Sequence, residues 1–397
     1  MGTFQKDGDA PLTGAAAIQR FYSDASRIEG AAEDQLTYVA NMTGVEAVAA
    51  FPDLHPGKYG PVGTAILADR IYPQFIGNDI GCGMSLFVLD LPRRKLRLDK
   101  AAGKLRVLEG AWDGDTSHRL KAADLPTELH ASALGTIGGG NHFCELQTTG
   151  TVFDKGALTA DLTSGTLLLF VHSGSRSLGM SVFSGVQHRF EGMDPGAAEG
   201  QTYLEAHDQA VRWASLNRQL IAQRAAQALG SDLQLVVDVP HNLVEARRGS
   251  VLHRKGAAKA DLPLVPLAGS RDALSYLLKP IGGKAESLGT LAHGCGRKYD
   301  RRSMTGRVGA TRSDRDSLCR TSFGGFVVCE DRQLLIEEAP AAYKDSAQVL
   351  KDLQAFALAE PVVSLKPLLT FKKAVNEDYD MARRDKRRRL SERRARR

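Results

Sequence analysis

Asp79 and Cys82 stand three residues apart in Gly77-Asn78-Asp79-Ile80-Gly81-Cys82-Gly83, where glycines on both sides let a carboxylate and a thiolate close on one small cation. A second cluster, Gly138-Gly139-Gly140-Asn141-His142-Phe143-Cys144-Glu145, sets an amide, an imidazole and a carboxylate just after three glycines. His172, in Val171-His172-Ser173-Gly174-Ser175-Arg176, and His241, in Asp238-Val239-Pro240-His241-Asn242, each follow a short apolar run, where a strand would hand its last side chain to a loop. Taken alone, the Asp79–Cys82 segment reads more readily as a structural turn, and each histidine as a hydrogen-bonded structural residue, than as a metal ligand. The separations between the three histidines are too long to define a metal site by spacing. If the five side chains converge, they supply mixed O, S and N donors for two metals sharing the thiolate. Zinc or manganese suits such a set, and intrinsic affinity favours zinc.

His293 has different company. In Ala292-His293-Gly294-Cys295-Gly296-Arg297-Lys298-Tyr299-Asp300-Arg301, glycines bare the imidazole and two arginines follow at four-residue intervals. An anionic group could be held there beside a nucleophilic nitrogen, although a cationic turn would look the same. Two nucleotide motifs are missing. There is no GxxxxGK[ST] loop, and Lys6-Asp7-Gly8 lacks the intervening residue of the Lys-x-Asp-Gly motif of lysine-charged ligases.

The elements that must position these residues are of mixed type. Residues 167–171 and 233–239 read as short buried strands. Between them, Tyr203, His207, Ala210, Ala214, Leu220, Ile221 and Ala225 recur at helical spacing over 202–229, with Gly230 as a natural stop. Forty glycines, many in runs such as 135–140 and Gly282-Gly283, predict tight loops carrying the sites. No solenoid repeat and no low-complexity linker divides the chain. One body over 1–375 with a basic extension over 376–397 is the simplest organisation. That extension opens as a helix, with Asn376 as cap and Glu377 and Asp378 in its first turn.

Composition narrows the class. At 397 residues, 43% apolar and 25% charged, the chain has the make-up of a soluble globular protein. No apolar stretch approaches bilayer length and no basic-then-apolar leader opens the chain, so a cytoplasmic protein without membrane contact is expected. Five cysteines, an odd number widely scattered, predict reduced thiols. The net charge of +6 suggests nucleic acid until it is located. Residues 383–397 hold ten Lys/Arg against Asp385 and Glu392, leaving about −2 for everything else.

Taken in order, His55-Pro56-Gly57-Lys58, Asp79-Ile80-Gly81-Cys82-Gly83, Gly140-Asn141-His142-Phe143, His172-Ser173-Gly174-Ser175-Arg176, Pro240-His241-Asn242, Arg254-Lys255-Gly256-Ala257 and His293-Gly294-Cys295-Gly296-Arg297 resemble the RtcB family of RNA ligases over about residues 50–372. The resemblance implies a single large α+β domain built on mixed sheets. It also implies a ligase that uses GTP and two Mn2+ ions to join an RNA 3′-phosphate or 2′,3′-cyclic phosphate to a 5′-hydroxyl. His293 would take GMP as a phosphoramidate, oriented by Asp53. Asp79, Cys82, His142, His172 and His241 would hold the metals, with Cys82 bridging. Asn141 would meet the nucleotide phosphate, Glu145 and Lys372 the guanine edge, and Phe143 and Tyr343 its faces. His241, Asn242, Gly269, Ser270, Arg271, Ser275, Gly294, Cys295 and Gly296 would complete the nucleotide site. Arg176, Lys255, Arg297 and Arg301 would bind RNA phosphate.

Departures from the family pattern are visible. Cys295 replaces a common alanine, Tyr299-Asp300 a more usual Met-Ser, and Gly269-Ser270-Arg271-Asp272-Ala273 an expected Gly-Ser-Met-Gly-Thr near the nucleotide. The wording at Asn78-Asp79 and Pro56-Gly57-Lys58 resembles the branch associated with the peptide-release factor homologue PrfH, which implies ribosomal RNA repair. An archease-type activator serves some relatives. Two rivals remain at this stage. One is a dinuclear phosphoesterase using the same ligands to activate water, which leaves His293 unexplained. The other is a non-catalytic RNA-binding protein whose affinity comes from the arginine tail.

Overall fold

The computed structural model describes residues 15–158, 162–163, 165–309 and 311–372. The basic tail and the helix expected from Asn376 lie outside them. Strands β1 (Ala17–Arg20), β2 (Val45–His55) and β3 (Val62–Ala68) open the chain, followed by β4 (Gly83–Leu89), β5 (Phe143–Val152) and β6 (Leu167–Ser173). After a 32-residue helix, Ala198–Leu229, come β7 (Leu233–Pro240), β8 (Asn242–Arg247), β9 (Ser250–Lys255), β10 (Ala257–Lys259) and β11 (Val265–Leu267). The last strands are β12 (Ser275–Pro280), β13 (Thr290–Ala292), β14 (Phe326–Val328) and β15 (Ala359–Phe371).

Apart from the antiparallel pair β10-β13, they form a five-stranded sheet in the order β1-β2-β3-β9-β8 and an eight-stranded one in the order β11-β12-β15-β5-β6-β4-β7, with β14 beside β15. Both are mixed, because β1 joins β2 in parallel and β14 joins β15 in parallel, while the remaining pairs are antiparallel. The α+β expectation therefore holds. No helix among the described residues is long and apolar enough to cross a membrane.

Side-chain alternation explains why the sheets stack. On β2, Ala49 and Phe51 face a core shared with Met84, Leu86, Leu168 and Phe170 of the larger sheet. Their neighbours Val48, Ala50 and Leu54 face outward, under Ala32, Leu36 and Val39 of the helix Gly30–Ala40. The outer face of the larger sheet, with Phe87, Leu146, Leu169 and Phe371, is covered by Ile221, Ala222 and Ala225 of the long helix. The result is four layers, helix, sheet, sheet and helix. β6 is buried throughout, as its apolar run requires. β7 is not: it forms the edge of its sheet, and Leu235 is 49% exposed. A leucine- and valine-rich run fits an edge strand as well as a central one, which is why the sequence alone misplaces it.

The long helix ends as expected at Gly230, in the left-handed conformation at φ 75°. Its polar content was less legible. Arg218, fully buried, donates through Nη1 to Gly81 O at 2.8 Å and Ser173 O at 3.0 Å. Nε and Nη2 reach the Asp238 carboxylate at 2.7 and 3.0 Å. One guanidinium thus ties the starts and ends of β4, β6 and β7 where Cys82 and His172 lie. Arg218→Ala leaves Asp238 without its buried partner and should cost about 3–5 kcal/mol. Equilibrium denaturation checks this, and a loss below about 1 kcal/mol would mean that water replaces the guanidinium freely.

Candidate active site

Antiparallel order explains how residues so distant in sequence meet. Along β5-β6-β4-β7, β5 and β4 begin at the same edge at which β6 and β7 end. His142 precedes β5, Cys82 precedes β4, His172 is the penultimate residue of β6, and His241 follows β7. His241 also links the two sheets, because β8 starts at the next residue, and its N–H donates to Cys82 O at 2.8 Å. From the smaller sheet, the end of β2 brings Asp53 and His55 and the end of β9 brings Lys255. β13 delivers His293.

The five expected ligands converge. Cys82 Sγ lies 3.1 Å from His172 Nε2 and 3.3 Å from His142 Nε2. His172 Nε2 is 3.2 Å from His241 Nε2, and His142 Nε2 is 3.0 Å from Asp79 Oδ2. Two triads able to hold an ion result, Cys82-His172-His241 and Asp79-Cys82-His142, and the sulfur belongs to both. Burial, reinforced by neighbouring histidines, holds His172 and His241 far below the ordinary imidazole pKa, so their nitrogens keep their lone pairs. Burial raises Asp79 but is outweighed by His142 beside it, which leaves the carboxyl at about 2. Burial, followed by the Asp79 charge, pushes the Cys82 thiol well up. Acceptors crowded this closely, and a thiol that ionises only with help, fit a pair of cations. Glycine makes room for them: a Cβ on Gly174 would stand 2.1 Å from Asp79 Oδ1.

His293 is next to this cluster, its ring centroid 4.4 Å from that of His241. Its Nδ1–H donates to Asp53 Oδ2 at 2.7 Å, and its backbone N–H reaches the same oxygen at 3.2 Å. Asp53 is wholly buried, so the tautomer is set and Nε2 carries the free lone pair. Two glycines allow the approach. A Cβ on Gly296, at φ 66°, would lie 2.1 Å from Asp53 O, and one on Gly256 3.1 Å from the His293 ring. No motif marks Lys344, whose buried ammonium donates to Pro52 O at 3.1 Å and Leu54 O at 2.6 Å and so fixes the Asp53 backbone on both sides. Asp53→Asn keeps the shape but lets the ring flip tautomer. It should slow chemistry at His293 roughly 10²- to 10⁴-fold while metal content stays unchanged. Rapid-quench kinetics with metal analysis checks this, and an unchanged rate would dismiss the pair.

Beyond His293 opens a cleft of about 250 Å³. Asn141, Phe143, Glu145, Asn242, Lys255, Arg297, Arg301, Tyr343 and Lys372 line it, together with 268–271 and 293–297. Glu145 pairs with Thr370 across β5 and β15 and accepts hydrogen bonds from the Thr370 hydroxyl and the Gln147 amide. Three expected residues are placed differently from the rest. Asn242 has its amide engaged with Asp79 O at 3.1 Å and Gly256 N at 2.7 Å. Ser275 stands behind the wall, its hydroxyl accepting from Gly269 N at 2.9 Å. Arg176 is outside the cleft, over Gly138, where any Cβ would strike its guanidinium at 1.9 Å.

Glu338 is the other residue missed in the sequence. Buried at 2% exposure, it faces Arg297 at 3.2 Å, Arg301 at 3.6 Å and Lys372 at 3.8 Å and accepts the Tyr343 hydroxyl. Burial raises its pKa, but the three cations prevail and hold it at about 2. Burial lowers Lys255 to about 8. The cleft therefore combines a cation-holding acceptor cluster, an oriented imidazole and several positive side chains, a set suited to phosphoryl or nucleotidyl transfer.

Comparison with known proteins agrees with this geometry. A family model described as "tRNA-splicing ligase RtcB" matches residues 35–110 and 107–373. "RNA-splicing ligase RtcB2" of Escherichia coli is 39% identical over 364 residues, covering 90% of this chain and 96% of the relative. "RNA-splicing ligase RtcB" of Mycobacterium tuberculosis is 28% identical, covering 84% and 99%, and "tRNA-splicing ligase RtcB" of Thermococcus kodakarensis is 26% identical, covering 88% and 93%. The chain belongs to the RtcB family.

Proposed function

We propose that this protein is an RNA ligase that joins a 3′-phosphate or 2′,3′-cyclic phosphate end to a 5′-hydroxyl end, using GTP and two Mn2+ ions. The observation that carries this reading is the His293–Asp53 pair beside a double cation site, at the mouth of a nucleotide-sized cleft. Asp53 holds the Nδ1 proton, and His293 Nε2 attacks the α-phosphorus of GTP. A P–N bond forms, the bond to the β-phosphate oxygen breaks, and pyrophosphate leaves. A cyclic end is first opened by water to the 3′-phosphate. A 3′-phosphate oxygen then takes GMP from His293, forming a P–O–P linkage and returning the imidazole. The 5′-hydroxyl attacks the RNA phosphorus, its proton is lost, and GMP departs. Metals held by Asp79, Cys82, His142, His172 and His241 would neutralise phosphate oxygens. Arg297, Arg301 and Lys255 hold RNA phosphates, and Arg176 extends that surface. Phe143 and Tyr343 cover the faces of the base.

We further propose broken ribosomal RNA as the substrate, on the wording at Asn78-Asp79 and Pro56-Gly57-Lys58 that resembles the PrfH-associated branch, with work in the cytoplasm and an archease-type activator as a partner to test. The test is incubation with Mn2+, GTP and an RNA pair bearing 3′-phosphate and 5′-hydroxyl ends. A joined strand with the phosphate retained at the junction is expected. Release of inorganic phosphate without joining would favour the phosphoesterase instead.

A further inference from the structure

Arg271 is a buried cation that the chemistry at His293 does not use. It is 6% exposed, on the cleft wall beside Gly269 and Ser270. Among the described residues its guanidinium makes one hydrogen bond, from Nη2 to Leu335 O at 3.1 Å, and Nη1 is buried without a partner. The buried acid on this wall, Glu338, is taken up by Arg297, Arg301 and Lys372. Burial accordingly holds Arg271 below the usual arginine range. A buried donor without an acceptor is costly unless a ligand supplies one.

Two neighbours define that acceptor. Lys372, the residue expected at the guanine edge, has its ammonium committed: it donates to Gly140 O at 2.8 Å and His142 O at 3.3 Å and faces Glu338 at 3.8 Å. Glu145, on the same wall, has its carboxyl fixed by Gln147 and Thr370; burial raises its pKa, opposed by those hydrogen bonds and by the charges of Lys372 and Arg271. A carboxylate takes ligand N–H groups, and a guanidinium takes ligand oxygens and ring nitrogens. Guanine offers both, with N1–H and N2–H donors along one edge and the O6/N7 acceptor pair that an arginine fork fits. Adenine and 2,6-diaminopurine place an amino group where O6 stands, directing a donor at a buried cation.

We propose that Arg271 reads O6/N7 of the guanine and is, with Glu145, the residue that fixes nucleotide choice, in place of Lys372. This rests on the guanylyl-transfer reading above. The test uses the full chain with Mn2+ and α-labelled GTP, ITP and 2,6-diaminopurine riboside triphosphate, measuring kcat/KM for covalent labelling. Wild type should prefer GTP over the diaminopurine nucleotide. Arg271→Met should reduce GTP labelling about 10- to 100-fold and narrow the preference for GTP over the diaminopurine nucleotide by a similar factor, leaving the part that Glu145 sets through N1–H. Arg271→Lys, which keeps the charge and loses the fork, should fall between and covers the case in which the methionine variant does not fold. ITP, which retains O6 and N7 but lacks the 2-amino group, should lose the same factor relative to GTP in wild type and in either variant. An undiminished preference for GTP over the diaminopurine nucleotide in both variants overturns the role of Arg271 and leaves guanylyl transfer standing. Wild type that takes no label from any nucleotide overturns both.

Discussion

His293→Ala should take up no measurable nucleotide, with RNA joining reduced by roughly four to six orders of magnitude. The size follows from what is lost. Among the described residues, Nε2 is the nucleophile in the cleft that is oriented from behind, by a wholly buried carboxylate 2.7 Å from the opposite ring nitrogen. The ring lies at the surface of the cleft and bears no structural load beyond its contacts with Asp53 and His241, so the variant should fold and bind both metals. Labelling from α-labelled GTP, with metal analysis of the same sample, checks both halves. Retained labelling at near wild-type rate would move the nucleophile elsewhere.

Cys82→Ala should be nearly as damaging for a different reason. Its sulfur belongs to both donor triads, whereas Asp79 and His142 serve one and His241 the other. Loss of Cys82 should weaken both sites by more than about 10²-fold, beyond what outer-sphere changes cause. His241→Ala should weaken chiefly one. Isothermal titration with Mn2+ distinguishes these outcomes, and two intact sites in Cys82→Ala would remove the bridging role. The buried thiol has a pKa pushed well up, so metal uptake must expel its proton. Apparent affinity should therefore fall as pH is lowered, with proton release on binding in wild type that Cys82→Ala lacks.

Much of this site was legible because ligand-type residues sit among glycines in loops, a local signature that survives without coordinates. The long helix was legible for a similar reason, since a 3.6-residue period needs no partner to be seen. Residues acting from behind the wall were not. Arg218, Lys344 and Glu338 are charged residues of ordinary appearance whose importance comes from burial against partners 20 or more residues away. Nor does any sequence rule show that β6 and β7, similar in composition, take a central and an edge position. Lys372 shows a different limit: the motif marks the residue, but only the fold shows that its ammonium is engaged by the backbone carbonyls of Gly140 and His142. Arg271, a departure from the family pattern that the resemblance nevertheless places at the nucleotide, gains a specific role once its unpartnered nitrogen is seen.

Attachment of the nucleotide to His293 can be measured directly. Protein incubated with Mn2+ and α-labelled GTP, denatured, digested and mapped by mass spectrometry should carry one GMP on the peptide containing His293, through a bond that survives alkali and breaks in acid. GMP on a lysine, or RNA joined with no nucleotide ever attached to the protein, would contradict it.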